Sequence, residues 1–128
     1  MNSNQLIGVQ GEAIIAQYLE ESGNEIIDRN WRTAFGEIDI IALSPHGVVI
    51  FVEVKTRTSL RFGEPLEAIH PQKARRLQKL ARAWLVENGG GSDSTRAPHR
   101  VAGIRIDCAG VLLANGERPR IDYRAGVL

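Results

Sequence analysis

Two runs of β-branched residues, separated by four turn-formers, constrain this chain more than any other feature. Glu37-Ile38-Asp39-Ile40-Ile41-Ala42-Leu43 leads through Ser44-Pro45-His46-Gly47 into Val48-Val49-Ile50-Phe51-Val52-Glu53-Val54-Lys55. Both runs have the length and composition of strands, and Pro and Gly mark the break as a turn. So short a connection leaves no room for a crossover, so the strands pair antiparallel. With Pro45-His46-Gly47 as a three-residue loop, Ser44 faces Val48, Asp39 falls across from Glu53, and Glu37 across from Lys55. A two-residue loop would shift the register and send Asp39 and Glu53 to opposite faces.

Period-2 alternation then sorts the hairpin into two faces. Glu53 and Lys55 share one with Phe51 and Arg57, while Ile38, Ile40, Val52 and Val54 form a core face. Directly opposed carboxylates repel. A divalent cation between them, or a proton on one, removes the conflict. The plainer alternative is a set of solvated edge charges paired with lysine.

Asp39 followed by Glu53-Val54-Lys55 on the next strand resembles the PD-(D/E)xK nuclease signature. GEIDIIA followed by FVEVKTR is more closely similar to the small bacterial YraN-type family, itself similar to Holliday-junction resolvases. Gly8-Val9-Gln10-Gly11-Glu12, Asn30-Trp31-Arg32, Phe62-Gly63-Glu64-Pro65 and Glu67-Ala68 match further segments of that family in order, while Arg105-Ile106-Asp107 departs from its usual RFD. The resemblance implies Asp39 and Glu53 as magnesium ligands and Lys55 beside the attacking water. It adds Glu12, on the first helix, as a third carboxylate, and Lys73 as a further site lysine. The backbone carbonyl of Val54 would complete a site for Mg²⁺ or Mn²⁺, which accept a few oxygen donors and keep several waters. Glu12 would bind directly or through water, and Glu37 would hold Lys55 in place. No organic cofactor is implied.

At 128 residues the chain is long enough for one domain with one core. Net charge is only +1, so nucleic-acid binding must arise from how charge is distributed. The single cysteine, Cys108, excludes an internal disulfide and a cysteine-based zinc site, and its apolar setting suggests a core filler. No apolar run is long enough to span a membrane, and the N-terminus lacks a secretion-signal layout. A cytoplasmic protein is expected.

A helical pattern runs from Asn4 to Ser22, with Gly8, Glu12, Ile15, Ala16 and Leu19 along one stripe. Glu12 sits where a core residue belongs; a favourable place near the helix N-terminus is its alternative explanation. Gly8 and Gly11 lower helix propensity and make sense if something approaches closely. Glu25–Arg32 reads as a strand, with Trp31 either in the core or exposed as a base-stacking platform. The loop after Lys55 carries Arg57 and Arg61 and could cover a scissile phosphate.

A second helix is expected over Pro71–Glu87, with Leu77, Leu80, Ala81, Trp84 and Leu85 as its apolar stripe. Arg75, Arg76, Lys79 and Arg82 gather on the opposite side, either as a solvated face or as a phosphate-contacting one. Lys73 borders the apolar stripe in the first turn. Residues 88–99 read as a flexible surface loop, and His46, His70 and His99 show no metal-ligand spacing. Strands over Val101–Leu113 and Pro119–Tyr123, joined by an Asn-Gly turn, close the chain. Asp107 is expected in a structural salt bridge, on a strand across the sheet from the hairpin. The order α-β-β-β-α-β-β predicts a mixed central sheet flanked by helices. With the family resemblance, this becomes a restriction-endonuclease-like α/β fold over residues 1–128. The expected function is metal-dependent hydrolysis of DNA, including branched DNA, by a homodimer. A non-catalytic nucleic-acid-binding module on the same fold is the alternative.

Overall fold

The computed structural model describes residues 2–61, 63–68, 70–89 and 101–127. Helix α1 (Ser3–Glu21) opens with a capping box: the Asn2 side chain accepts from the Gln5 N–H, and the Gln5 side chain accepts from the Asn2 N–H. It closes on Gly23, whose φ of 92° lets the Asn24 N–H reach back to the Leu19 carbonyl. Strands β1 (Glu25–Thr33), β2 (Gly36–Leu43) and β3 (Val48–Arg57) follow. A 3₁₀ turn at Pro65–Ala68, read from sequence only as loop, precedes helix α2 (Pro71–Gly89) and strands β4 (Gly103–Leu112) and β5 (Arg120–Arg124). Phe62, His99 and most of the loop expected over 88–99 lie outside the described residues.

The five strands form one sheet in the order β1-β2-β3-β4-β5. Every neighbouring pair is antiparallel except β3 and β4, which run parallel from Val48↔Gly103 to Arg57↔Leu112. A parallel pair needs a crossover, and α2 lies within it. The result is the expected mixed α/β architecture in the order α-β-β-β-α-β-β, consistent with a restriction-endonuclease-like fold. From sequence the strand carrying Asp107 is expected across the sheet from the hairpin, and the structure corrects this. The crossover sets β4 directly against β3.

Each face of the sheet is covered by one helix. Ile15, Ala16 and Leu19 of α1 pack on Ile40, Ile50, Val52 and Val54. Leu77, Leu80 and Trp84 of α2 pack on Ile41, Val49, Phe51 and Ile106. Trp84 meets Phe51 edge-on at 5.8 Å, and its indole N–H donates to Asp28 at 3.1 Å. Trp31 is partly buried against the same cluster, which makes it a core residue and not an open platform. The hairpin face carrying Phe51 is therefore as much a core face as the other. Ile38 belongs to the α2 side while Ile40 belongs to the α1 side, so the single core face drawn through both does not exist.

Asp107 is fully buried, and it is satisfied from all sides. The Arg105 Nε and a terminal guanidinium nitrogen donate to it at 2.8 Å, the Gly126 N–H at 2.9 Å, and the Tyr123 hydroxyl adds a further bond. Its neighbour in the β3 ladder is Val52, a residue of the α1 face. Asp107 is thus the expected structural ion pair, on the opposite side of the sheet from Glu53. Cys108, the ladder neighbour of Glu53, is a buried core thiol pushed up to about 11 by burial and then by Glu53.

Candidate active site at the β2–β3 fork

The β2–β3 ladder has the register read from the three-residue loop: Leu43↔Val49, Ala42↔Ile50, Ile41↔Phe51, Ile40↔Val52. There it stops. Between the β1–β2 pairs Arg29↔Ile40 and Trp31↔Ile38 sits Asn30, whose φ of 50° is a left-handed conformation that asparagine tolerates. Alternation along β2 breaks at the same level, which is why Ile38 and Ile40 part company. The two strands separate and leave a fork.

Asp39 occupies the fork. Its Oδ2 accepts the Val54 N–H at 2.8 Å, taking the place of the lost strand partner. The N–H and C=O of one strand residue point to the same edge, so the Val54 carbonyl opens toward the same gap. Glu53 comes to the fork from the α2 face, and both carboxylates are nearly sealed, at 7% and 6% exposed. Burial, followed by repulsion from Glu53, pushes the Asp39 carboxyl up to about 8, even though the Val54 N–H pulls it down. Asp39 and Glu53 are therefore together as the sequence predicts, across a splayed junction and not as a regular cross-strand pair.

Two lysines converge on Glu53. Lys73, from the first turn of α2, places its Nζ 2.7 Å from Glu53 Oε1, and Lys55 approaches the same oxygen at 3.6 Å. Lys55 is held below the usual lysine range by the neighbouring Lys73 and by burial. For Lys73 burial pulls down, and the contact with Glu53 outweighs it and holds the group above the usual range. From α1, Glu12 is half-buried and lies within hydrogen-bonding reach of the Asp39 carboxyl; burial and then Glu37 raise its own carboxyl. It is placed there by Gly11, where a Cβ would collide with the Thr56 side chain of β3. Gly8, by contrast, has open space around it.

Glu37 does not hold Lys55. With the ladder ended at Ile40, it turns to Arg32 at 2.9 Å. Arg57 ends β3 half-buried, its carbonyl taking the Leu113 N–H, and Arg61 is exposed in the following loop. Arg75, Arg76, Lys79 and Arg82 are exposed on α2, and none has an ion-pair partner among the described residues. Arg76 runs past Gly36, the first residue of β2, so this basic face borders the fork. Phe35, in the turn before β2, is 85% exposed and was not singled out from sequence. The signal was there, because an aromatic between two strand patterns and next to glycine has no core to enter.

The donor set suits a hard divalent cation. Two carboxylates and a carbonyl are all oxygen, with no imidazole or thiolate among them. The repulsion from Glu53, which adds to burial in raising Asp39, is what such an ion relieves. Among the described residues no three acidic, His or Cys side chains lie close enough to enclose an ion, so the fork offers two carboxylates and a carbonyl, a set that leaves a hard cation to keep several of its own waters. Glu12 stands beside this pair through Asp39.

Comparison with known proteins agrees with the geometry in extent. A family model described as "Uncharacterised protein family UPF0102" matches residues 11–111, a span holding Glu12, Asp39, Glu53, Lys55 and Lys73. Similar curated proteins, each called a UPF0102 protein, occur in Acidothermus cellulolyticus (40% identical, covering 98% of this chain and 95% of the relative) and Rhodococcus opacus (43%, covering 96% of each). Another, from an Arthrobacter species, is 42% identical and covers 99% of both chains.

Proposed function

The chain belongs to the uncharacterised protein family UPF0102, the YraN-type family, and on that premise we propose that it is a metal-dependent endonuclease that hydrolyses phosphodiester bonds in DNA, branched DNA included. One observation carries the reading. Two buried carboxylates meet at a strand fork with two lysines against them, an arrangement that costs stability and that a purely binding surface has no use for.

Asp39, Glu53 and the Val54 carbonyl would hold Mg²⁺ or Mn²⁺, with Glu12 adding charge through Asp39 or a bridging water. The ion would supply a lowered pKa for bound water and neutralise charge building on the phosphate. The chain's own groups do the rest. Lys55, 3.6 Å from Glu53, orients the attacking water or offsets the charge that develops there. Lys73 leaves its contact with Glu53 free to compensate negative charge on the phosphoryl oxygens. Arg57, Arg61 and the α2 face of Arg75, Arg76, Lys79 and Arg82 bind the backbone on either side. Cutting both strands of a junction needs two sites, so the working form is a homodimer. Among the described residues no helix is long and apolar enough to cross a membrane, and the proposed activity belongs in the cytoplasm.

A second reading rests on the 2.7 Å contact of Lys73 with Glu53, which neutralises the acid without any ion. On that reading the chain is a nucleic-acid-binding module without catalysis. Wild type and Asp39→Asn, offered linear, nicked and four-way-junction DNA with and without Mg²⁺ or Mn²⁺, separate the two. Metal-dependent cleavage lowered at least 100-fold in the variant supports the nuclease. Equal binding with no cleavage by either protein supports the module.

A further inference from the structure

We propose that Phe35 is a base-stacking wedge, and that the nuclease proposed above therefore acts on DNA containing an unstacked base near the cut. It is the most exposed large apolar side chain among the described residues. A lone exposed phenylalanine is unremarkable on a flexible tail, but this one is braced. The Thr33 hydroxyl accepts the Phe35 N–H at 3.0 Å and donates to the Gly36 carbonyl at 3.2 Å, tying both sides of the turn. Gly36 has a φ of 147°, and a Cβ there would come within 3.2 Å of the Leu80 side chain, so the turn sits close to α2. The ring is held out into solvent by a fixed hairpin tip and gives up burial to stay there.

Its surroundings select the partner. Arg76 lies beside the tip, unpaired among the described residues; Arg32 is ion-paired with Glu37 there, and Arg75, Lys79 and Arg82 are exposed on the same helix as Arg76. An aromatic face in a positive field suits a nucleobase on a phosphate backbone. It does not suit an apolar protein groove. Phe35 precedes Asp39 by four residues, roughly 13 Å at ~3.3 Å per strand residue. That is about four nucleotides of stacked DNA at ~3.4 Å each. In continuous duplex the bases are already stacked on one another. At a nick, a junction or a single-stranded end, one is free to stack on the ring.

The test uses Asp39→Asn as background, so that binding is read without cleavage. Phe35→Trp adds a fluorophore at the tip to the native Trp31 and Trp84; the emission it adds over the Asp39→Asn parent should be quenched on binding single-stranded or four-way-junction DNA and stay unchanged on blunt duplex bound to the same occupancy. Phe35→Ala and Phe35→Leu should each weaken binding to the open substrates roughly 5- to 100-fold, as loss of base stacking does, and alter duplex binding less than twofold. Leucine keeps the apolar surface and loses the ring, so it separates stacking from greasy contact. Unquenched Trp with unchanged affinities would overturn the wedge. So would a change in oligomeric state on Phe35→Ala, seen by sedimentation, with DNA affinity intact. Quenching together with absent cleavage in the wild type would leave the wedge standing and remove the nuclease; cleavage without quenching would do the reverse.

Discussion

Asp39 carries an unusual load for one side chain, since it repairs the hydrogen bonding of a broken ladder and also meets two other carboxylates. Its carboxyl, pushed up to about 8, lies above its unfolded value near 3.8. The folded state therefore holds this proton more tightly than the unfolded chain. That contribution to stability is complete below about pH 4 and is lost as pH rises through 8. Metal-free protein should accordingly melt at lower temperature at pH 8 than at pH 5.5. Asp39→Asn keeps an acceptor for the Val54 N–H but carries no charge. It should flatten this dependence and raise stability at pH 8 by at least ~1 kcal/mol, a few degrees in melting temperature for a chain of this size. Added Mg²⁺ should raise the melting temperature of the wild type at pH 8 and leave that of the variant unmoved. Calorimetry across the pH range reads all three.

Among the elements, α1 shows how a glycine pair divides into one that matters and one that does not. Gly11 packs so closely on β3 that a Cβ would come within 2.9 Å of the Thr56 Cβ. Gly11→Ala should cost about 1–3 kcal/mol as an overpacked contact and displace Glu12 from the fork. Gly8→Ala meets open space and should stabilise the protein by ~0.5–1 kcal/mol through helix propensity alone. Urea unfolding of the two variants gives the comparison. The sequence could reveal that glycine was out of place in this helix, but not which of the two was pressed against a strand, because that depends on tertiary approach. The hairpin shows the same boundary. Its register up to Ile40↔Val52 followed from loop length and alternation, which are local properties. The fork beyond it lies level with Asn30, in a different strand, which adopts a left-handed conformation, and no pattern within β2 or β3 announces that. Hence Asp39 and Glu53 were legible as a pair, whereas Glu37 was assigned to Lys55 on a ladder that does not reach so far. Lys73 was readable as facing the sheet from its place in the α2 stripe; its partner was not, since it required the crossover geometry.

At the scale of the molecule, the two helices clamp a sheet whose strands β3 and β4 are joined only after α2 has crossed over. The acids of the fork come from a local hairpin, and their countercharge comes from the crossover, so the assembled site depends on the whole topology. The charges of this fold also fall into two populations that ionic strength will tell apart. Asp107, enclosed by Arg105, Tyr123 and the Gly126 amide, is shut off from mobile ions and locks β5 and the following residues onto β4. The cations of α2 stand in open water, where a Debye length of roughly 8 Å at 0.15 M governs them. Moving from 50 to 500 mM KCl should thus shift the unfolding midpoint little while DNA affinity drops by orders of magnitude, with a log–log slope that shallows by ~0.9 for each phosphate contact removed on neutralising Arg75, Arg76, Lys79 or Arg82. Salt would then loosen the grip and leave the shape alone, because the latch beneath β4 is sealed from it.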